Sequence, residues 1–185
     1  MEENKELMRC FVAIEMPVAV IKEVARVQET LGNWKFTGKM TELENLHLTL
    51  KFLGEIDKEK MKKVKEELQR IEFKEFEAKL IGIGTFSNFG NPRIAWIKIG
   101  SKGMFELQKK IDEAMEKIGF KKEERFMSHM TIARIKYVKD KKGFLEHVSK
   151  IGIRGIEWDV DKFCLKKSVL EQRGPTYSDL EVYEL

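Results

Sequence analysis

His47-Leu48-Thr49-Leu50, within the longer stretch Leu46–Gly54, recurs in the second half of the chain as His129-Met130-Thr131-Ile132. In each copy, a His and a Thr stand two residues apart, with apolar residues between and after them. Side chains alternate between the two faces of a β-strand, so each copy predicts a strand with His and Thr on one face. Leu48, Leu50, Met130 and Ile132 are predicted to face the core. Two of the three His in the 185-residue chain occupy this frame, which makes coincidence a poor explanation.

The two motifs sit at matching places in two similar halves of the chain. Strand, helix, His-x-Thr strand, helix and strand follow one another in residues 8–84 and again in residues 92–170. We therefore predict a degenerate internal duplication within a single bilobal domain over residues 1–185, with a final strand over residues 176–184. No stretch rich in Pro, Ser or Gly separates the halves, so we expect two closely packed lobes that bring both motifs to one central cleft.

Local patterns place the individual elements. The predicted helices cover residues 17–31, 57–71, 101–118 and 140–150, and Asp57 is the clearest predicted N-cap. The predicted strands cover residues 9–14, 45–53, 76–83, 93–99, 125–138, 155–170 and 177–183. A turn is predicted at Gly54, and residues 34–44 are predicted to be irregular.

Composition limits the class of protein. The net charge of +4 is compatible with a polyanionic partner such as RNA but does not require one. Cys10 and Cys164 lie in apolar alternating stretches without CxxC spacing, which indicates buried reduced thiols rather than a disulfide or a zinc site. Reduced thiols, a charged N-terminus and the absence of an apolar run of about eighteen residues predict a cytoplasmic protein that does not enter a membrane. We expect a monomer.

Two imidazoles that face one substrate are suited to phosphodiester chemistry without a metal. Because the ordinary pKa of His is about 6.5, one ring can accept a proton near neutral pH while the other donates one. These are the general base and the general acid of an in-line displacement at phosphorus. The Thr hydroxyls can donate hydrogen bonds to the phosphate oxygens on which charge accumulates. His47, His129, Thr49 and Thr131 are therefore the candidate catalytic residues, and we expect neither a metal nor a cofactor.

The third histidine, His147, has no companion motif, and we interpret it as a surface residue of the last predicted helix. No GxxxxGK[ST] sequence is present, so an ATP-driven ligase of the P-loop type is not supported.

The chain resembles the two-histidine (2H) phosphoesterase superfamily, and within it the LigT-like RNA 2',3'-cyclic phosphodiesterases, also called 2'-5' RNA ligases. Both motifs carry the resemblance, together with Lys51-Phe52-Leu53-Gly54 after the first and Ala133-Arg134 after the second. The opening Arg9-x-Phe11-Val12-Ala13-Ile14-x-x-Pro17 and the closing Gly174-Pro175-x-Tyr177 extend it over almost the whole chain. The resemblance implies a bilobal α+β fold, with helices and a sheet containing antiparallel strands in each lobe and the motifs flanking a central cleft.

The same resemblance implies a role for each site residue. His47 would protonate the leaving 3'-oxygen, and His129 would activate water to attack the phosphorus of a cyclic nucleotide or RNA end, yielding a 2'-phosphate. Thr49 and Thr131 would hold the phosphate. Phe52 and Arg134, each five residues after a His, would hold the nucleobase by stacking and cation–π contact. Strict alternation turns that position away from the His, so this role requires the strand to end or bulge there.

Two other functions stay open from the sequence. A 5'-hydroxyl in place of water would make the same site a reversible 2'-5' RNA ligase, which joins a 2',3'-cyclic phosphate end to a 5'-hydroxyl end. A non-catalytic nucleotide- or RNA-binding module is the third interpretation. The intact His and Thr at all four places argue against it, because binding alone requires neither a proton donor nor a proton acceptor.

Overall fold

Every predicted helix and strand is present in the computed structural model, which describes residues 6–172 and 174–185. Residues 1–5, which belong to the predicted polar N-terminus, lie outside these ranges. The helices are α1 (Val18–Gly32), α2 (Lys58–Gln69), α3 (Lys102–Lys117) and α4 (Lys141–Lys150). The strands are β1 (Met8–Glu15), β2 (Thr37–Met40), β3 (His47–Ile56), β4 (Phe76–Asn88), β5 (Asn91–Gly100), β6 (His129–Tyr137), β7 (Glu157–Val160), β8 (Lys162–Glu171) and β9 (Gly174–Glu184).

All the strands join one antiparallel sheet. Its order is β7-β4-β5-β6-β3-β1-β8-β9, and β2 pairs with β6 beside this path. The two halves of the sheet meet where β3 pairs with β6 at Leu48 and Met130. On either side of this junction, β7-β4-β5-β6 corresponds strand for strand to β9-β8-β1-β3. The predicted α+β fold is confirmed, and its two halves are joined through the centres of the two motifs.

The two halves of the sheet are not the two halves of the sequence. β4 ends the first predicted repeat (8–84), yet it pairs with β5 and β7 of the second. β8 ends the second predicted repeat (92–170) and pairs with β1 of the first. Each predicted repeat therefore places its last strand in the sheet half of the other, so the two segments are interlocked.

Helices cover one face of the sheet and leave the other uncovered. In α1, Val20, Val24, Val27 and Leu31 recur at helical spacing and are fully buried. The same core contains the strand residues that were predicted to be buried, which are Leu48, Leu50, Met130 and Ile132. The opposite face of β3 and β6 carries His47, Thr49, His129 and Thr131, and we call it the open face.

Side-chain caps start three of the four helices, as their sequences indicate. The Asp57 carboxylate accepts a hydrogen bond from the Lys60 amide at 2.8 Å, and Asp140 does the same for Gly143 at 3.0 Å. The Ser101 hydroxyl caps α3 in the same manner. Among the helices of the described residues, none combines the length and the apolar character needed to cross a bilayer.

Several strand boundaries differ from the prediction. β3 continues through Gly54, where a turn was predicted, because glycine adopts a φ of +70° there while the strand stays paired with β1. Residues 37–40, predicted to be irregular, form β2 because β6 provides an edge to pair with. β6 begins at His129 rather than at residue 125, and Asp161 divides the predicted strand 155–170 into β7 and β8.

Candidate active site

The four motif residues lie together at the junction of the sheet halves. The antiparallel register that pairs Leu48 with Met130 sets His47 across from Thr131 and Thr49 across from His129. Side chains directly opposite each other on such a pair are about 5 Å apart, and diagonal ones are about 7–8 Å apart. The two imidazoles occupy diagonal corners. A phosphate group with a hydrogen bond of about 2.8 Å on either side spans a similar distance.

Both imidazoles are held by the same backbone contact. Nδ1–H of His47 donates to the carbonyl of Asn45 at 2.7 Å, and Nδ1–H of His129 donates to the carbonyl of Met127 at 2.8 Å. A carbonyl oxygen can only accept a hydrogen bond, so Nδ1 carries a proton in each ring. Nε2 is then the atom that exchanges protons in both. In the first motif, Nε2 of His47 lies 3.1 Å from the Thr49 hydroxyl.

A bulge in each motif strand turns the fifth residue after the His onto the open face. In β3, Leu50 and Lys51 are both buried, and the pairing with β1 skips Leu50. In β6, the consecutive Ile132 and Ala133 are both buried, and the pairing with β5 skips Ile132. A bulge inserts one residue and reverses the alternation beyond it. The bulge that Phe52 and Arg134 require is therefore present twice, and Phe52 is 69% exposed rather than packed in the core.

A polar side chain from the helix of the other repeat fixes each bulge. Gln28 on α1 donates from Nε2 to the carbonyls of Thr41 at 2.7 Å and Ile132 at 2.8 Å. Asp112 on α3 forms a buried ion pair with Lys51, which directly follows the unpaired Leu50 of the β3 bulge. Both Lys51 and Asp112 are nearly inaccessible to solvent. These supports were missed at the sequence level, where a Lys within an apolar strand and an Asp on a core-facing helix position were the available signals.

Lys51 and Asp112 also hold the segment that leads to the second motif. The Lys51 ammonium donates to the carbonyl of Lys121, and the amide of Glu123 donates to Asp112 at 3.0 Å. These bonds hold residues 121 and 123 against β3 and α3, before the chain enters β6 at His129.

From the Leu48–Met130 pair, the two strands lead to Phe52 and to Arg134 in opposite directions. Each lies four residues beyond the Leu48–Met130 pair, and the two strands run in opposite directions. The Phe52 ring lies 6.3 Å from that of Phe11, which contacts His47. The contact of Phe52 and Arg134 with a nucleobase stays a prediction.

Arg134 lies at the end of the open face that holds His47 and Tyr177. Its positive charge contributes to lowering the pKa of His47 and opposes the rise that burial causes in the pKa of Tyr177. Tyr177 was quoted in the sequence motif but received no role there. Its ring meets the His47 ring edge-on, with centroids 5.1 Å apart.

His47 is enclosed by aromatic rings. Phe11 lies 4.9 Å from it, centroid to centroid, and Tyr177 packs edge-on against Phe11 at 5.0 Å. Burial lowers the pKa of His47 from 6.5 to about 4, and the charges of Lys166 and Arg134 act in the same direction. The hydrogen bond to Asn45 and the charge of Glu15 partly oppose this. His47 is therefore neutral near pH 7 before a substrate binds.

A buried lysine with two carboxylates lies next to His47. The Lys166 ammonium donates to Glu15 at 2.6 Å and to Asp179. Burial opposes its charge, but the hydrogen bonds and the negative charges of the two carboxylates together outweigh burial and raise the pKa of Lys166. The Cys164 sulfur and the two carboxylates lie within 4.8 Å of one another, as metal ligands would. The grouping does not fit a metal, because Lys166 already neutralises the carboxylates and burial raises the pKa of Cys164 to about 11.

Different residues surround His129. Phe86 meets its ring edge-on at 5.0 Å, and Trp96 packs against Phe86. Lys98 on β5 is paired in register with His129 and is exposed. Lys98 therefore adds a positive charge beside the second motif, where the first motif has Glu15 paired in register with His47.

The third histidine is not the surface residue that was predicted. His147 is half-buried, its Nε2 lies 2.9 Å from the Thr30 carbonyl, and its ring packs near Trp34. It joins α4 to α1, far along the chain from either motif. The prediction for Cys10 and Cys164 is confirmed, since both are buried free thiols.

Comparison with known proteins assigns the family. The family model described as LigT like Phosphoesterase matches residues 14–96 and 99–177, a span that includes both His-x-Thr motifs. The chain belongs to this family. Membership makes the protein a phosphoesterase, and the predicted 2H phosphoesterase resemblance is confirmed.

Two archaeal relatives of this LigT-like phosphoesterase match it over almost their whole length. An RNA 2',3'-cyclic phosphodiesterase of Methanocaldococcus jannaschii is 37% identical over 172 residues, which are 92% of this chain and 96% of the relative. One of Archaeoglobus fulgidus is 34% identical and covers 96% of this chain and 100% of its own. The crystal structure of TT0787 of Thermus thermophilus superposes with a TM-score of 0.82 at 29% identity, covering 96% of this chain and 98% of that one.

Proposed function

We propose that this LigT-like phosphoesterase hydrolyses 2',3'-cyclic phosphates at RNA ends to 2'-phosphates by paired-histidine acid–base catalysis. The proposal rests on one observation, which is that both motifs expose the Nε2 atom of their histidine in the same way. Two imidazoles, each fixed through Nδ1 by a backbone carbonyl, lie diagonally across one antiparallel strand pair with two Thr hydroxyls between them. The names of the relatives, RNA 2',3'-cyclic phosphodiesterase, support the choice of substrate.

The diagonal arrangement suits an in-line displacement. His129 takes a proton from water through Nε2 as the water oxygen attacks phosphorus, and His47 gives its Nε2 proton to the departing 3'-oxygen. The 2'-oxygen stays bonded to phosphorus, so the product is a 2'-phosphate. Thr49 and Thr131 donate hydrogen bonds to the non-bridging oxygens, whose charge rises in the transition state.

Substrate binding has to protonate His47, because its pKa is about 4 in the free protein. A singly charged phosphodiester about 4 Å away attracts an imidazolium by about 4 kcal/mol at an effective dielectric constant of about 20. That energy corresponds to a rise of about three units in the pKa of His47, which brings this pKa close to neutral pH. The substrate itself therefore creates the proton donor.

The roles of the two histidines orient the nucleotide. The ribose carries the departing 3'-oxygen, so the ribose and its base lie at the His47 end of the open face. Arg134 and Tyr177 are at that end and offer the base a guanidinium plane and an aromatic ring. The Phe52 ring lies 6.3 Å from Phe11, which contacts both His47 and Tyr177.

Product analysis on 2',3'-cyclic AMP tests the proposal. We expect adenosine 2'-phosphate by phosphorus NMR, unchanged turnover in EDTA, and a loss of about 10²- to 10⁴-fold in kcat/KM for His47→Ala and for His129→Ala. His147→Ala is the matched control, because it removes an imidazole outside the open face. Thermal unfolding of each variant checks that it is folded.

Retained turnover in the His129→Ala protein would contradict the assignment, and so would a 3'-phosphate product. Nucleotide affinity equal to that of an active relative, without any phosphate product, would identify a binding module instead.

A further inference from the structure

Asn45 makes two contacts that join distant parts of the chain. It is the last residue of a short 3-10 turn, Leu43–Asn45, that leads into β3. Its backbone carbonyl accepts the hydrogen bond from Nδ1 of His47 at 2.7 Å. Its side-chain amide donates from Nδ2 to the carbonyl of Pro175 at 3.0 Å, across 130 residues of sequence, and we call this second contact the latch. One residue therefore connects the orientation of the first imidazole with the end of the hairpin that β8 and β9 form.

The part of the hairpin that the latch holds covers His47. Tyr177, two residues beyond Pro175, places its ring edge-on against the ring of His47, with centroids 5.1 Å apart. Asn45, His47 and Tyr177 line a cavity of about 140 Å³. Pockets for small ligands are usually larger than about 300 Å³, so this cavity is too small for a nucleoside. The hairpin thus encloses the imidazole and does not build a second ligand pocket there.

The end of the hairpin lies against the segment that leads into the first motif. Gly174 adopts a φ of +133°, which residues other than glycine rarely adopt. A Cβ atom at this position would lie 2.9 Å from Nζ of Lys39 and 3.5 Å from Oε1 of Glu42, two residues that form an ion pair. The Glu42 carboxylate also lies 3.5 Å from Nδ2 of Asn45. Glycine therefore permits the close approach that brings the Pro175 carbonyl within reach of the amide.

A second anchor holds the same hairpin on the other side of Tyr177. Lys166 on β8 donates to Asp179 on β9 and, at 2.6 Å, to Glu15 on β1. Asp179 follows Tyr177 by two residues, as Pro175 precedes it by two. The Lys166 anchor joins opposite charges, whereas the latch is a single uncharged hydrogen bond and is the weaker fastening. Its removal should therefore loosen the end of the hairpin without unfolding the sheet.

Within the described residues, the second half of the sheet has no matching latch. Nδ1 of His129 donates to the carbonyl of Met127, but the Met127 side chain has no amide with which to donate. The corresponding hairpin of β4 and β5 ends at Phe89, which is 96% exposed. There the Asn91 amide donates to the carbonyls of Asn88 and Phe89, inside the turn itself. The backbone contact to an imidazole thus forms without a docked hairpin, so the latch is an addition specific to the first motif.

We propose that Asn45 is a positioning residue for proton donation, whose amide latches the hairpin over His47 while its carbonyl aims Nε2 at the departing 3'-oxygen. This inference rests on the proposed function, in which His47 is the proton donor. Proton transfer requires Nε2 within about 2.6–3.2 Å of that oxygen, and a displacement of about 1 Å can cost about a hundredfold in rate. Because one residue holds both the ring and the hairpin, loss of the latch lets the carbonyl and the imidazole move away from this geometry.

A double-mutant cycle on hydrolysis of 2',3'-cyclic AMP tests the latch. Asn45→Ala removes the amide but keeps the backbone carbonyl, and we expect kcat to fall about ten- to a hundredfold while KM stays within about twofold. In the His47→Ala protein, no proton donor is left to position, so Asn45→Ala should cost less than about twofold further. Asn91→Ala is the matched control, because it removes an amide from the end of the other hairpin, and it should leave kcat within about twofold.

Asn45→Asp is a second variant of almost unchanged size, in which a carboxylate that can only accept hydrogen bonds replaces the donating amide. It should show the same loss in kcat, and again almost no further loss in the His47→Ala protein. Thermal unfolding of each variant, measured in parallel, should show that it stays folded at the assay temperature.

Each other result overturns the positioning role. An equally large further loss in the His47→Ala protein would mean that Asn45 acts on the fold or on the phosphate and not through the proton donor. Unchanged kcat in both Asn45 variants would show that the latch is not used, and unfolding of both would show a purely structural role. An equal loss in Asn91→Ala would show a general effect of the hairpin ends. Full activity of the His47→Ala protein would instead refute the proposed function itself, whatever the Asn45 variants do.

Discussion

The two halves of the sheet have the same strand arrangement but differ in the side chains around their histidines. Lys166 on β8 and Phe86 on β4 occupy corresponding positions in the two halves. Lys166 pairs with β1, the neighbour of β3, and Phe86 pairs with β5, the neighbour of β6. Both imidazoles contact aromatic rings, but a buried ammonium with two carboxylates lies only beside His47, whereas the residue in register with His129 is the exposed Lys98. The matching strand arrangement sets where the two imidazoles lie, and the surroundings of His47 lower its pKa.

The supports of the two bulges show the same contrast. A neutral glutamine holds one bulge and a buried ion pair holds the other, at equivalent places on α1 and α3. Both solutions give the same backbone shape. They differ in how much free energy is lost when one partner is removed, because an unpaired buried charge is far more costly than an unpaired carbonyl.

The largest effect is expected from breaking the ion pair. Asp112→Leu leaves the Lys51 ammonium buried without a counter-charge, and we expect the free energy of unfolding to fall by about 3–5 kcal/mol. Urea denaturation measures this. The double variant Lys51→Met with Asp112→Leu should recover most of the loss, because no charge then remains buried. A double variant as unstable as the single one would show that packing, not charge, holds this bulge.

The pH dependence of stability should report the low pKa of His47. A depressed folded-state pKa means that the unfolded chain binds the proton more tightly, so the stabilisation is complete above pH 6.5 and is lost as the pH falls towards 4. The difference between 6.5 and about 4 corresponds to about 3 kcal/mol. We expect unfolding curves of His47→Gln to lose this dependence relative to the wild type. Parallel curves for the two proteins would contradict the buried, neutral imidazole.

Removal of the neutral bulge support should be milder than removal of the charged one. Gln28→Leu leaves the carbonyl of Ile132 without its side-chain donor, for which we expect a loss of about 1–3 kcal/mol. The same denaturation experiment compares it with Asp112→Leu. A larger loss for Gln28→Leu than for Asp112→Leu would show that the neutral support contributes more to stability than the ion pair.

The smallest effect concerns the charges in register with the histidines. Lys98 is exposed beside His129 and should attract the anionic substrate from a distance, so Lys98→Met should raise KM about two- to fivefold with kcat little changed. The effect should fade in about 0.5 M salt, because mobile ions screen exposed charges. A fall in kcat instead would mean that Lys98 acts on the reaction and not on the encounter.

Local periodicity predicted the helices, the strands and the strand face on which the motif residues lie. The features that the sequence did not predict depend on pairing between distant residues. The His-x-Thr alternation and the caps at Asp57 and Asp140 depend on residues a few positions apart. The exchange of β4 and β8 between sheet halves depends on pairing across the whole chain, as does the ion pair between Lys51 and Asp112, 61 residues apart. His147 was misread for the same reason, since its partner Thr30 lies 117 residues away.

The predicted contact of Phe52 and Arg134 with the nucleobase shows the limit of what a sequence motif can predict. Position five after each His was expected to reach the site through a bulge, and both bulges are present. The role of Phe52 and Arg134 at the nucleobase stays a prediction, because it depends on a bound nucleotide as well as on the two strands.

The assignment of His47 as proton donor and His129 as proton acceptor is tested most directly with a cyclic nucleotide that carries sulfur in place of the 3'-bridging oxygen. A thiol has an ordinary pKa of about 8.5, so its thiolate leaves without a proton donor. We predict that His47→Ala, impaired about 10²- to 10⁴-fold on the oxygen substrate, approaches the wild-type rate on the sulfur substrate, while His129→Ala stays impaired on both. Rescue of His129→Ala instead, or no rescue of His47→Ala, would contradict the account.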